Sequence, residues 1–509
     1  MKKILTVLVL VLTALSLNAQ TVKEKKVFNG LNSNSYTLYD FSYDNKSGTY
    51  IYAPYDTIKQ KTKIVSNKGN SGDYDYFQLY DAVYDNSGNY YVTAVKNIDA
   101  MNGISENFLI RNGKEIFKSS YINFPISKKE DGLYFISKEN GYDVRVKYNF
   151  STNQLEYGNK YDTIFLAAVN DIAGHGEPSY QIGFTKTGKE YYAASKGGKH
   201  YFIIGETESK PYSEILYYNT YEDKAGNICY VAKEFVNGKN QYFLVQGDKE
   251  YKKFAYINFN VVFDNSNVPY YCASENYDEE YTQDGYLIKG DEKISRNYLR
   301  GIYDLSFTPS GKLVYTGSDT LPDGTFKTTL FIDGNEYITA GSIWGIAFYN
   351  DDTPFYYTSD ESGNATLYKG RTKISETYSY INEFSVNKSG LISFVGTKYG
   401  DYDKNIPNKS YYVIGDKKFG PFEDYIVGEY EPNFLEVSDN GNYAYTAVET
   451  KKGKDGEILN RYSIVGKDWK SPKFEYINEL TTYKNDFYYS GVNYNANGKS
   501  ESLFFKNDK

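Results

Sequence analysis

The tripeptide Tyr-Ile-Asn occurs four times in this chain of 509 residues, beginning at Tyr121, Tyr256, Tyr380 and Tyr476. Successive copies begin 135, 124 and 96 residues apart. These separations are close to three, three and two multiples of a period of about 44 residues, which indicates that one small structural unit is repeated along the chain. This repeat constrains the fold more than any other feature of the sequence.

Two glycine signals follow the same period. A polar turn that ends in glycine joins an apolar strand to an aromatic strand at Gly88 and Gly441, and such a turn supplies the positive φ of a tight hairpin. Later in each unit, an apolar strand ends in glycine and a charged residue, as at Gly247, Gly290 and Gly415. Each unit is therefore predicted to hold four short strands. Further turns of the first kind centre on Gly48, Gly132, Gly188, Gly226, Gly311 and Gly390.

The composition favours an all-β fold, because 18% of the residues are aromatic and Tyr outnumbers Phe 59 to 30. Four strands in a repeat of about 40–45 residues are typical of a β-propeller blade. A linear array of β-sandwiches needs about 100 residues per domain, so the repeat is too short for it. The chain holds about eleven units, more than the usual four to eight blades, which predicts two propellers in tandem.

The N-terminus has the pattern of a secretory signal peptide. Lys2 and Lys3 precede an apolar run at residues 4–15, and the small residue Ala19 follows it. The run is shorter than the roughly 20 residues of a spanning helix, and no later segment is long and apolar enough to span. We expect a signal peptide at 1–19, N-terminal propeller repeats at 20–260, C-terminal repeats at 261–509, and a periplasmic or secreted mature chain.

One unit resembles a known family of repeats. Residues 307–312 read Phe-Thr-Pro-Ser-Gly-Lys. This segment is similar to the WD40-like repeat of bacterial exported propellers, whose signature reads Phe-Ser-Pro-Asp-Gly-Lys. Ser310 replaces the Asp, and the other copies mostly lack the Pro. The resemblance implies a propeller fold and implies no activity, because propellers have many unrelated functions.

Charge and cysteine usage narrow the partners and the covalent chemistry. The formal net charge is −8 and the sequence has no basic stripe, which argues against nucleic acid and anionic lipid as partners. Cys229 and Cys272 are the only cysteines. They occupy equivalent strands of consecutive repeats, which usually stand too far apart for a bridge, so we predict two unpaired thiols.

The sequence lacks the motifs of the common catalytic and cofactor sites. His175 and His200 are the only histidines, and their spacing with the two cysteines does not make a zinc site. Nucleophile-elbow, phosphate-loop and dinucleotide-binding glycine patterns are absent from the sequence. Acidic clusters such as residues 278–280 lack the glycine and terminal Glu of a calcium loop. We therefore predict no catalytic residue, no metal and no cofactor.

Alignment of the units on their turn glycines gives a candidate binding ring. The residue after the Ile of the tripeptide stands at the start of the first strand, which in a propeller lies at the mouth of the central channel. Asp40 and Asn123 hold this position in two units, and only Asp, Asn, Tyr and Trp occur there. The other members are Tyr80, Tyr180, Tyr218, Asn258, Tyr303, Trp344, Asn382, Asn433 and Asn478.

Two interpretations of this ring compete. In the structural one, Asn caps the turn between blades, because its amide bonds nearby backbone. In the functional one, amides and phenols surround the channel mouth and suit sugars or peptide backbone, with Trp344 as the anchor. The Ile that precedes the position, as in Ile257 and Ile381, is expected to pack between blades.

The sequence favours a non-catalytic exported protein that recognises a protein or a glycan at the channel mouth. The alternative is a propeller carbohydrate-active enzyme, a glycoside hydrolase or lyase, with Asp or Glu on channel loops. A third possibility is a structural component of the cell envelope with a stable protein partner.

Overall fold

The computed structural model describes residues 36–506, apart from residues 45, 57, 100–103, 124–125, 170–178, 277–283, 361, 402–403, 405, 425–433, 453–457, 484–485 and 495–499. The signal peptide predicted at 1–19, His175 and Asn433 lie outside the described residues. The described part of the chain contains β-strands and no α-helix. Two compact units divide the chain; the first ends at Pro211 and the second begins at Tyr212. The propeller boundary at 260/261 stays a prediction.

The strands of the first unit are β1 (Tyr36–Asp44), β2 (Thr49–Asp56), β3 (Lys61–Thr62), β4 (Val65–Ser66), β5 (Tyr76–Tyr84), β6 (Tyr90–Asp99), β7 (Ile104–Arg111), β8 (Lys114–Ser119), β9 (Ser127–Lys129), β10 (Gly132–Glu139), β11 (Tyr142–Asn149), β12 (Leu155–Tyr161), β13 (Thr163–Phe165), β14 (Ala167–Val169), β15 (Ser179–Gln181), β16 (Gly183–Phe184), β17 (Glu190–Lys196), β18 (Lys199–Ile204) and β19 (Thr207–Glu208).

The strands of the second unit are β20 (Glu214–Glu222), β21 (Ile228–Val236), β22 (Lys239–Gln246), β23 (Lys249–Glu250), β24 (Tyr256–Phe263), β25 (Pro269–Ser274), β26 (Tyr286–Lys289), β27 (Glu292–Lys293), β28 (Ile302–Phe307), β29 (Leu313–Thr320), β30 (Phe326–Ile332), β31 (Asn335–Ala340), β32 (Ser342–Phe348), β33 (Pro354–Ser359), β34 (Ala365–Lys369), β35 (Thr372–Lys373), β36 (Tyr380–Val386), β37 (Ile392–Lys398), β38 (Asn408–Ile414), β39 (Lys417–Asp424), β40 (Leu435–Val437), β41 (Tyr443–Lys452), β42 (Ile458–Gly466), β43 (Tyr476–Tyr483), β44 (Asp486–Tyr494) and β45 (Ser500–Lys506).

Most sheets are antiparallel and follow chain order. Sheets β5–β8, β9–β12, β20–β23, β24–β27, β28–β31, β32–β35 and β36–β39 each join four consecutive strands as neighbours. Sheets β40–β42 and β43–β45 have three described strands, and β13 and β16 both pair with β17 in an irregular five-stranded sheet. One up-and-down sheet per repeat is the β-propeller architecture, and the predicted fold class is confirmed. The blade number and the tandem arrangement stay predictions.

The turn glycines behave largely as the repeat predicts. Their φ angles lie between 69° and 86°, where a side chain is disfavoured. Gly132 is the exception: it is the first residue of β10, and the turn lies at residues 130–131. The turn glycines with positive φ are Gly48, Gly88, Gly188, Gly226, Gly311, Gly390 and Gly441.

The core lies between consecutive sheets. Ile257 of β24, for example, packs with Val231 and Leu244 of the preceding sheet and with Tyr271 of its own. The Ile before the ring position is at most 3% exposed in all six repeats for which its burial was predicted, which confirms the burial. These residues are Ile122, Ile257, Ile302, Ile343, Ile381 and Ile477.

A buried aromatic residue shortly before the first strand of a sheet is hydrogen-bonded to the preceding sheet. Phe474 exchanges two backbone hydrogen bonds of 2.8 Å with Tyr462 of the preceding sheet. Its ring lies where Gly491, opposite Ile477, leaves room: a Cβ there would stand 2.3 Å from the ring. We call Phe474 and its equivalents the latch aromatics. The set, which is at most 3% exposed and shares the paired backbone bonds, is Tyr74, Phe254, Tyr298, Tyr378 and Phe474.

Candidate functional site

The predicted ring is described in part. The strands that hold Tyr80, Tyr180, Tyr218 and Asn478 are described, but these side chains are outside the described set. Besides Asn123, the ring members with described side chains are Asn258, Tyr303, Trp344 and Asn382. Each is the second or third residue of the innermost strand of its sheet.

Asn123 follows the capping interpretation. The residue is 2% exposed. Its backbone N–H donates to the Ile136 carbonyl over 3.0 Å, and its side-chain Oδ1 accepts from the Ile136 N–H. Both polar groups of the Ile136 backbone are therefore bonded to one Asn. In this repeat the side chain bonds the segment before β9 to strand β10 and offers no surface to a ligand.

Asn258, Tyr303 and Trp344 line one cavity in the second unit. The cavity has a volume of about 540 Å³ and lies against the innermost strands β24, β28 and β32 of three consecutive sheets. Trp344 is 52% exposed and Tyr303 is 40% exposed. The structure thus brings three predicted ring residues together, with exposed indole and phenol rings in one wall. Asn382 does not line this cavity; its Oδ1 is enclosed without a partner in the described part of the chain.

A β-bulge presents these side chains. In β28 and in β32, two residues after the ring position oppose one residue of the next strand. The first of them is left-handed in both strands, with φ of 53° at Asp304 and 62° at Gly345. A Cβ on Gly345 would stand 2.9 Å from the Tyr357 ring, so this position requires glycine. Bulges bend a strand and re-aim its side chains, which here turns Tyr303 and Trp344 toward the cavity.

Asp304 adds a carboxylate to the cavity wall. Thr316 donates a hydrogen bond of 2.8 Å to its Oδ2. Part of the residue is exposed to solvent, but the surrounding side chains shield its carboxyl group from water. This desolvation raises the pKa of Asp304 above its ordinary value, and the hydrogen bond from Thr316 opposes it. The group accepts hydrogen bonds from a bound hydroxyl when ionised.

Arg300 and Phe326 complete the cavity and were not predicted. The guanidinium Cζ of Arg300 stands 3.8 Å from the centre of the Phe326 ring, which is 52% exposed. Tyr303 donates from its hydroxyl to the Arg300 carbonyl over 2.6 Å, which fixes the phenol. Burial raises the pKa of Tyr303, so the hydroxyl stays protonated at neutral pH. No local sequence pattern marks Arg300 or Phe326.

A pair of carboxylates lies elsewhere on the innermost strands. Glu383 of β36 is left-handed, with a φ of 49°, at the bulge position equivalent to Asp304. Desolvation raises the pKa of Glu383. It also raises the pKa of Glu436 of β40 to about 7, with a further contribution from the charge of Glu383.

The two thiols are unpaired and buried. Cys229 is 0% exposed and Cys272 is 5% exposed. Desolvation raises the pKa of both, to about 12 for Cys272, so neither is a reactive thiolate near neutral pH. Among the described residues, no group of three or more His, Cys, Asp or Glu could hold a metal ion. No helix in the same residues is long and apolar enough to cross a membrane.

No protein-family model matches the sequence, and no curated protein is significantly similar to it. Partial likeness exists to solved structures. TolB from Acinetobacter baumannii is 12% identical, with a TM-score of 0.22, and the match covers 58% of this chain and 77% of TolB. The Dos1 propeller is 12% identical, with a TM-score of 0.25, over 69% of this chain and 95% of that one.

The β-propeller domain of the trilobed protease from Pyrococcus furiosus is 11% identical, with a TM-score of 0.22. That match covers 59% of this chain and 94% of the domain. Likenesses this weak carry no functional argument. The class of the fold rests on the sheets of this chain, and the function must be argued from its cavity.

Proposed function

We propose that this chain is an exported, non-catalytic β-propeller protein of the WD40-like repeat type that binds a glycan. The binding site is the cavity lined by Asn258, Tyr303 and Trp344. One observation carries the proposal: exposed indole, phenol and phenyl rings share this cavity with amide, hydroxyl and carboxylate groups. The signal-peptide pattern at residues 1–19 supports export.

The chemistry of the wall suits a sugar. Aromatic faces pack against the apolar C–H faces of sugar rings, and Asn side chains offer both a donor and an acceptor to hydroxyl groups. Asp304 and the hydroxyls of Thr316 and Ser318 add further polar groups. The volume of the cavity lies within the roughly 300–1,000 Å³ typical of small-ligand sites. An extended protein interface is less well served, because the polar groups converge in a concave wall.

Glycan binding tests the proposal, and the two tryptophans provide a matched pair. Trp469 stacks on Tyr489, with ring centroids 5.8 Å apart, and does not line the cavity. We expect wild type and Trp469→Phe to bind a common set of glycans on an array. Trp344→Ala should lose about 5- to 150-fold in affinity for them, since stacking on an aromatic face is worth about 1–3 kcal/mol. Undiminished binding by Trp344→Ala would overturn the proposal.

A second candidate function is glycoside hydrolysis, favoured by Glu383 and Glu436. A carboxyl group with a pKa of about 7 is suited to general-acid chemistry, and hydrolases pair it with a second carboxylate. Chromatography of each bound glycan after long incubation separates the two functions. Released product that disappears with Glu436→Gln establishes the enzyme, whereas unchanged glycan excludes it for that ligand.

A further inference from the structure

Arg300 is the one arginine in the glycan-binding cavity. The residue is half-buried, and its guanidinium Cζ stands over the Phe326 ring, 3.8 Å from the ring centre. A stacked guanidinium keeps its N–H donors at its edge, in the plane of the group. Within the described part of the chain, the Arg300 guanidinium makes this ring contact and no side-chain hydrogen bond, so its N–H donors are available to a ligand.

No carboxylate of the described chain forms an ion pair with Arg300. Other arginines are neutralised by one: Arg145 pairs with Glu190 at 2.7 Å, and Arg296 pairs with Asp319 at 2.5 Å. Arg461 likewise pairs with Glu475. Arg111 and Arg371 also lack an ion pair within the described part of the chain, but neither of them lines the cavity, so Arg300 is the unpaired arginine at this site.

Asp304 lines the same cavity as Arg300 but is not its partner. Its carboxylate instead accepts a hydrogen bond from Thr316 on β29, and it makes no ion pair with Arg300. The cavity wall thus contains the Arg300 cation, which has no anionic partner among the described residues, and the Asp304 carboxylate, which already accepts a hydrogen bond. A ligand can engage both, the first through an anionic group and the second through a hydroxyl.

We propose that Arg300 binds a carboxylate on the ligand, so that the glycan recognised here contains a uronic acid. This inference rests on the proposed function and specifies its ligand class. The edge of a guanidinium presents two parallel N–H donors that match the two oxygens of a carboxylate. The sugar ring then packs on Trp344 and Tyr303 while its carboxylate reaches Arg300 at the Phe326 side of the cavity.

The test compares uronic acids with their methyl esters, which differ in charge but keep the sugar ring. Trp469→Phe leaves Trp344 as the only tryptophan, so its fluorescence reports on the cavity. This protein is titrated with trimers of galacturonic, glucuronic, mannuronic and guluronic acid, and with the ester of each. We expect at least one acid to bind tenfold or more tightly than its ester.

Three variants assign that preference to Arg300. Arg300→Gln should abolish the difference between acid and ester, and Arg300→Lys should retain part of it. Arg371→Gln is the matched control, because Arg371 also stands over an aromatic ring, 5.3 Å from the centre of Tyr337, but does not line the cavity. It should bind as wild type does. Melting temperatures of all three establish that they are folded.

The outcomes separate the two proposals. If esters or neutral glycans bind as tightly as acids while Trp344→Ala still weakens binding, the uronic acid inference is wrong and glycan binding stands. The uronic acid inference is equally wrong if Arg300→Gln keeps the preference for acids. If neither charged nor neutral saccharides bind to wild type, both proposals fall.

Discussion

The same tripeptide has two different environments in this molecule. At residues 121–123 its Asn is 2% exposed and bonds the backbone of Ile136. At residues 256–258 its Asn lines a cavity with Tyr303 and Trp344. The Ile is buried in both copies. The comparison teaches that the repeat keeps the Ile buried in both copies. The Asn that follows is structural in one copy and faces a cavity in the other, depending on the residues that surround it.

The latch aromatics should show the largest effect on stability. Phe474 is 0% exposed and packs between two sheets, so Phe474→Ala should lower the free energy of unfolding by about 3–5 kcal/mol. Trp344→Ala should lower it by only about 1 kcal/mol, because about half of its side chain is exposed in the cavity wall. Urea denaturation followed by circular dichroism measures both. A large loss with Trp344→Ala would assign that residue to packing and remove it from the binding site.

Substitution of Asn123 and of Asn258 should change the free energy of unfolding by different amounts, and both effects should be smaller than that of Phe474→Ala. Asn123→Ala leaves the buried N–H of Ile136 without an acceptor, at a cost of about 1–3 kcal/mol. Asn258→Ala affects a partly exposed side chain, so its cost should be below about 1 kcal/mol, and it should instead weaken glycan binding. Melting curves and titrations of the two variants test this. Equal losses of stability would show that Asn258 is also a cap.

Glu436 should make stability depend on pH. The folded state holds this proton up to a pH of about 7, above the ordinary 4.5, so stability should fall as pH rises through that interval. Glu436→Gln should flatten this dependence and add about 1–2 kcal/mol at pH 8, after allowance for partial exposure. Glu449→Gln is the control, because Glu449 is paired with Lys473 and its removal should not stabilise the protein. Thermal melts from pH 4 to 8 decide the matter.

The smallest expected effect concerns the reactivity of the two cysteine thiols. Denatured, unreduced protein should titrate two thiols, whereas the folded protein should react with neither on the same timescale because both are buried. A maleimide or thiol-exchange reagent measures this directly. A monomeric protein with no free thiol after denaturation would establish a disulfide.

The latch aromatics could have been found in the sequence. An aromatic residue stands three positions before the Ile at Phe254, Tyr378 and Phe474. This three-residue spacing is present in the sequence, but it is hard to recognise because aromatic residues are frequent throughout the chain. At Tyr378 and Phe474 the ring also needs the space that Gly396 and Gly491 leave on the next strand, whereas the equivalent residue for Phe254 is Ala273.

By itself, the sequence determined the repeat, the turn glycines and the buried Ile positions, because backbone conformation and alternating burial are local properties of a strand. The tertiary structure alone decided which ring residues meet in one cavity. Two bulges, at Asp304 and at Gly345, set the directions of Tyr303 and Trp344. Arg300 meets Phe326 although strands β28 and β29 separate them in the chain. Such contacts join residues from different strands and sheets, and no local pattern encodes them.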